Sequence, residues 1–93
     1  MVQNTAVKAR IAGRVQGVSY RAWTQETALT YGLTGWVRNC DDGTVEAVFS
    51  GADDRIKAML TACRTGPPAA KVEAIETGPA DAGSVGKSFE IRR

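Results

Sequence analysis

The sequence predicts an α+β domain: an antiparallel sheet with two helices on one face, in the order β-α-β-β-α-β, closed by a short last strand. Three observations predict it. Short runs alternate apolar and polar residues with the period of half-buried strands, as in Val7-Lys8-Ala9-Arg10-Ile11. Two longer runs, 21–31 and 53–64, read as helices, and each follows such a strand. Between the second and third strand patterns stands Asp42-Gly43, a strong signal for a tight hairpin turn.

The first strand should run from Ala6 to Gly13, with Val7, Ala9 and Ile11 on one side and Lys8 and Arg10 on the other. The first helix covers Arg21 to Tyr31. Its apolar residues, Ala22, Trp23, Ala28, Leu29 and Tyr31, form an untidy stripe. Thr24, Thr27 and Thr30 lower its propensity, so packing has to hold it. Gly32 is its natural stop. The second strand is Leu33 to Asn39. After the turn Cys40-Asp41-Asp42-Gly43, the third runs from Thr44 to Ser50 with Val45, Ala47 and Phe49 inward, and Gly51 should break it. The second helix, Asp53 to Arg64, sets Ile56, Met59, Leu60 and Cys63 at i, i+3, i+4 and i+7, a clean apolar face. Asp53 and Asp54 suit its first turn, and Gly66-Pro67-Pro68 ends it. In the fourth strand, Lys71 to Glu76, the spacing of Val72 and Ile75 breaks the alternation and implies a bulge. A Gly/Ala/Asp/Ser loop from Thr77 to Gly86 follows. Lys87 to Arg92 is the last strand, with Phe89 and Ile91 inward. The arrangement is the split βαβ, or ferredoxin-like, sandwich, in a single domain spanning 1–93.

Ninety-three residues, 43% of them hydrophobic, suffice for one core. A formal charge of +2 is too small to argue for nucleic acid by itself. There is no histidine, and Cys40 and Cys63 do not form a metal-ligand spacing. A zinc site, a Ser–His or Cys–His nucleophile pair and a histidine general base are therefore excluded. The two cysteines could form one disulfide, though nothing demands it. Met1-Val2-Gln3-Asn4-Thr5 lacks the basic and apolar regions of a signal peptide, and no apolar run approaches the roughly 20 residues of a membrane span. The expectation is a reduced, cytoplasmic monomer with no cofactor, no metal, and neither nucleic acid nor membrane as partner.

The most informative stretch is Gly13-Arg14-Val15-Gln16-Gly17-Val18-Ser19-Tyr20-Arg21, where a strand turns into a helix. Such a turn points several backbone N–H groups at one spot beside the positive end of the helix dipole, an anion site suited to phosphate. Arg21, in the first helical turn, can add a planar two-pronged donor. The competing reading is a glycine turn that serves only the backbone bend, with Arg21 capping its helix or pairing with a carboxylate. The stretch is neither a Walker loop, since no Lys-Ser or Lys-Thr pair follows the second glycine, nor a dinucleotide fingerprint, since Gly13-x-x-x-Gly17 has the wrong spacing. In the predicted topology the first two strands run parallel and end on the same edge of the sheet. That brings Asn39 to the turn and to Arg21; a residue of this type before a hairpin is otherwise a turn former.

Two segments carry a resemblance. Gly13 to Arg21 resembles the first signature of the acylphosphatases; Gly32-Leu33-Thr34-Gly35-Trp36-Val37-Arg38-Asn39, followed by Asp42-Gly43-Thr44-Val45-Glu46, resembles their second. Gly66-Pro67-Pro68-Ala69-Ala70-Lys71-Val72 fits the family's helix-to-strand junction, and the resemblance extends from Ala6 to Arg93. It implies the ferredoxin-like fold and hydrolysis of acyl phosphates to a carboxylate and inorganic phosphate. The family's phosphoryl-binding arginine falls on Arg21, its water-positioning asparagine on Asn39. Its cradle of backbone amides falls on Val15, Gln16, Gly17, Val18, Ser19 and Tyr20. Ser19 and Tyr20 stand where some members carry phenylalanines, so exposed hydroxyls there bear on which acyl groups fit. Cys40 stands where some carry a hydroxyl residue.

An acyl phosphate is a mixed anhydride with a good carboxylate leaving group, so its hydrolysis needs the phosphoryl charge held and a water placed in line. Arg21 with the loop amides, and Asn39, match those two needs. Trp36 and Tyr20 read as packing residues, Arg14 and Arg38 as solvated charges, Cys63 as core and Cys40 as a loop thiol. The rival functions are an RNA-binding module of the same topology and a non-catalytic phosphate-sensing domain. The first would need aromatics on the central strands, which Val7 to Ile11 lacks.

Overall fold

The structure, a computed structural model, describes residues 4–92. The ends of the expected 1–93 domain, including Met1-Val2-Gln3, lie outside them. Strand β1 (Asn4–Arg14) leads to helix α1 (Tyr20–Thr30), then β2 (Thr34–Asn39), β3 (Val45–Ala52), α2 (Asp53–Cys63), β4 (Lys71–Pro79) and β5 (Phe89–Arg92). The sheet has the order β4-β1-β3-β2-β5. The pairs β1–β3, β1–β4 and β2–β3 are antiparallel, so β1 and β2 run in the same direction without touching. The last strand, whose place in the sheet the sequence left open, is β5, which pairs parallel with β2, Val37 beside Ile91. The ends of β1, β2 and β5 therefore share one edge.

The core lies between the sheet and the two helices. Ala9, Ile11, Val37, Val45, Ala47 and Phe49 face it from the sheet, and Ile56, Met59 and Cys63 from α2. Phe49 and Phe89 stack at 5.6 Å between ring centres. On α2 the anchor is Met59, fully buried, whereas Leu60 is only half-buried beside the core. The stripe of α1 is Tyr20, Thr24 and Ala28, with Ala22 and Leu29 exposed. The threonines fit because each folds its hydroxyl back onto the carbonyl four residues earlier: Thr24 onto Tyr20 at 2.8 Å, Thr27 onto Trp23 at 2.8 Å, and Thr30 onto Glu26 at 2.9 Å. Thr24 can thus be buried without an unsatisfied polar atom.

Gly51 does not break β3. It stays paired opposite Thr5 with φ +154°, and a Cβ there would meet the Leu33 side chain at 2.7 Å. The bulge in β4 is Glu73, skipped where Ala12 pairs with Ala74 and Gly13 with Val72. β4 then continues through Pro79, so the expected loop shortens to a segment holding a 3₁₀ turn at Ala82–Ser84, and β5 begins only at Phe89. Phe89 is buried as expected, but Ile91 is 40% exposed.

The face without helices is covered by side chains. Glu46, its side chain only 5% exposed, takes Lys8 Nζ at 3.1 Å and Arg38 Nη2 at 2.9 Å. Arg38 Nε also donates to it, at 3.0 Å, and Arg10 Nη2 lies at 3.8 Å. Burial alone would raise the Glu46 pKa; the hydrogen bonds from Arg38 and Lys8 outweigh it and hold the carboxyl below the usual glutamate range. Arg38 is therefore an ion-pair partner of a buried carboxylate and not merely a solvated charge. With Arg92 it also lies over the Trp36 ring, the guanidinium carbons 5.9 and 4.9 Å from the ring centre. Among the described residues no helix is long and apolar enough to cross a membrane.

Candidate active site

The edge where β1, β2 and β5 end carries a cleft of about 600 Å³. Val15, Gly17, Ser19, Tyr20, Arg21 and Ala22 line it from the loop and the start of α1, Asn39 from the end of β2, and Ile91 from β5. The long first signature and the distant asparagine thus meet in one place. Of the expected loop residues, Gln16 and Val18 do not line the cleft. Val18 packs against the core. Gln16 turns the other way, and its Nε2 donates to the carbonyls of Cys40 and Thr44, each at 2.8 Å. That tether joins the loop to the hairpin immediately after Asn39. Sequence offered no signal for it.

The loop backbone has the character of an anion nest. Gly17 has φ +73° and Ser19, the residue before the helix, φ +63°. A Cβ at Gly17 would meet nothing within 4 Å, so the backbone there is open to a ligand. Among the described residues, no N–H from Val15 to Ser19 donates to a protein acceptor, and the first intrahelical bond at this end runs from Trp23 N to Ser19 O at 3.0 Å. The amides of Tyr20, Arg21 and Ala22 are the usual orphan donors of a helix start. Ser19 makes no side-chain cap, and the first turn of α1 holds no acidic residue. The contrast with α2 is instructive, because Asp53 and Asp54 fill its first turn and offset the dipole.

No acidic side chain lines the cleft, and its charged lining residue is Arg21, half-buried and without a carboxylate partner among the described residues. The reading of Arg21 as a carboxylate partner therefore has no support. Asn39, also half-buried, makes no side-chain hydrogen bond among the described residues. Tyr20 corrects one expectation. It is 1% exposed, and its hydroxyl donates to the Cys63 carbonyl at 2.7 Å, so that hydroxyl is neither exposed nor available to a substrate. Burial, with the Cys63 neighbourhood, raises its pKa far above the ordinary tyrosine value. Tyr20 also packs against Gly66, where a Cβ would come within 2.6 Å of its ring. The start of α1 is thereby fixed to the end of α2. Cys63 is core, its thiol pushed up to about 12 by burial, and both cysteines are free. Among the described residues no group of three or more His, Cys, Asp or Glu side chains is arranged to hold a metal ion.

Known proteins share this sequence and fold. The sequence model of the Acylphosphatase family matches residues 7–91. An acylphosphatase of Rhizobium etli is 49% identical over 88 residues, covering 95% of this chain and 94% of the relative. One from Azorhizobium caulinodans is 53% identical over 81 residues, 87% of each chain. Among solved structures, the acylphosphatase of Bacillus subtilis superposes with a TM-score of 0.90 at 31% identity, covering 98% of this chain and 100% of that one. With a family match across nearly all its length and relatives near half identity, the chain belongs to the acylphosphatase family.

Proposed function

We propose that this acylphosphatase hydrolyses its acyl phosphates by in-line attack of a water positioned by Asn39 on a phosphoryl group held by Arg21 and the amides of the Val15–Tyr20 loop. The observation that carries the reading is the convergence on one cleft, among the described residues, of an unpaired guanidinium, a row of free N–H groups and an uncommitted carboxamide, with no acidic lining. The donors match the charge spread over the phosphoryl oxygens in the transition state. The water oxygen forms the new P–O bond as the bridging P–O bond breaks, and the bridging electron pair leaves on the carboxylate.

The proton lost by the water passes to a phosphoryl oxygen of the substrate. The ionisable side chains lining the cleft are Arg21 and Tyr20, and the Tyr20 hydroxyl is turned into the core. The rate should accordingly show no protein titration near pH 7, and a rate following such a group would refute this route. Nothing in the route requires a metal, so activity should persist in chelator.

The test is phosphate release from a simple acyl phosphate with chelator present. Arg21→Ala should cost about a hundred- to thousand-fold in rate, the usual scale for a lost preorganised donor, and should weaken inhibition by inorganic phosphate. Asn39→Ala should lower the rate while phosphate inhibition largely survives. Equal loss of phosphate binding in both variants would overturn the division of roles.

A further inference from the structure

Leu29 and Ile91 are the large hydrophobic side chains left exposed among the described residues, 53% and 40% respectively. Leu29 sits in the last turn of α1, away from the cleft; Ile91 lines the cleft itself. Its position is tightly specified. The parallel register sets Ile91 beside Val37, two residues before Asn39, and Gln25 Nε2 donates to the Phe89 carbonyl at 2.9 Å, pinning β5 to α1. Phe89, on the same face of the strand, reaches the core, whereas Ile91 has run past it. Of the three α1 residues that line the cleft with it, Tyr20, Arg21 and Ala22, Ala22 carries only a methyl.

The cleft thus has two characters: donors around Arg21 and the loop, and apolar lining that includes the exposed Ile91 and Ala22. A phosphoryl group fills only part of about 600 Å³. The rest of the substrate must leave the donors toward the open side, where burying apolar surface is favourable. We infer that Ile91 is a specificity-determining residue whose side chain covers the acyl group, so that the enzyme favours acyl phosphates with an apolar aliphatic or aryl group larger than acetyl; this rests on the phosphoryl group occupying the loop as proposed above.

The experiment compares kcat/KM for benzoyl phosphate and acetyl phosphate in wild type, Ile91→Ala and Ile91→Leu, with inhibition by inorganic phosphate measured in parallel. Each variant is referred to wild type on the same substrate, which cancels intrinsic reactivity. Ile91→Ala should lower kcat/KM for benzoyl phosphate about fivefold, the scale of covering part of one aliphatic side chain. Acetyl phosphate and inorganic phosphate should stay within about twofold, and Ile91→Leu should restore most of the loss. An equal fall on both substrates, or unchanged selectivity, overturns the assignment while leaving the proposed reaction standing. Absence of wild-type activity on either substrate, with no inhibition to measure, overturns the reaction and this inference together.

Discussion

Removing the Gln16 side chain tests whether the proposed phosphate loop and Asn39 act as one unit. Its Nε2 donates at 2.8 Å to both Cys40 O and Thr44 O, tying the loop to the hairpin that follows Asn39. Neither carbonyl is orphaned by Gln16→Ala. Thr44 O still accepts from Cys40 N at 2.8 Å, and Cys40 O from Gly43 N at 3.2 Å. The stability loss should therefore sit near the net worth of two ordinary hydrogen bonds, about 1–2 kcal/mol. The kinetic loss should be larger, because a displacement of about 1 Å between bound phosphoryl group and water can cost up to roughly a hundredfold. The expected result is a fall in kcat of about ten- to a hundredfold, with inhibition by inorganic phosphate changed less than about threefold, since the cradle amides remain. Steady-state phosphate release, phosphate inhibition and urea unfolding read the three quantities separately. A kcat within about twofold of wild type beside the expected stability loss would show the tether to be structural only. A parallel loss of phosphate binding would show that Gln16 serves the cradle directly.

Tyr20→Phe removes the donor to Cys63 O, for which no other protein donor stands among the described residues, and should cost about 1–3 kcal/mol in urea unfolding with most activity retained. A loss of activity at full stability would refute the anchoring role. Glu46→Gln should destabilise the fold at neutral pH by about 1–3 kcal/mol, because the carboxylate loses its charge to Lys8 and Arg38 while those cations keep access to solvent. The Glu46 pKa is depressed in the folded state, so its contribution is fully present above the ordinary glutamate value and fades as pH falls through the lower folded value. Acid unfolding should consequently be less steep in Glu46→Gln; an unchanged acid slope would refute the assignment.

Strand period, hairpin chemistry and helix stops carried the fold, and they failed where a residue's fate depends on a neighbouring strand. The alternation in β3 was legible for Val45, Ala47 and Phe49. The burial of Glu46 and Val48 was not, since it comes from the open face, where Lys8 and Arg10 on β1 and Arg38 on β2 converge on Glu46. Gly51 read as a break because glycine lacks side-chain packing. In the fold the missing Cβ is what lets the Leu33 side chain sit against an extended strand. Ile91 lies on the same face of β5 as Phe89, as period two requires, but period does not say where the core ends along that face.

The same distinction governs the site. Asn39 could be brought to the loop from topology alone, because strand direction decides which termini share an edge. The direction of a polar side chain within a loop has no such rule. Gln16 is committed by acceptors 24 and 28 positions away, and Tyr20 by a carbonyl 43 positions away. Arg21 and Asn39 carry no such commitment: among the described residues their side chains have no polar partner in the protein, and their polar atoms stay open to water at the cleft. Polar groups left open at a cleft and free of protein partners remain available to a ligand. The cleft is therefore arranged around what its residues leave unsatisfied, and an anion with a bound water is the chemistry that would satisfy them.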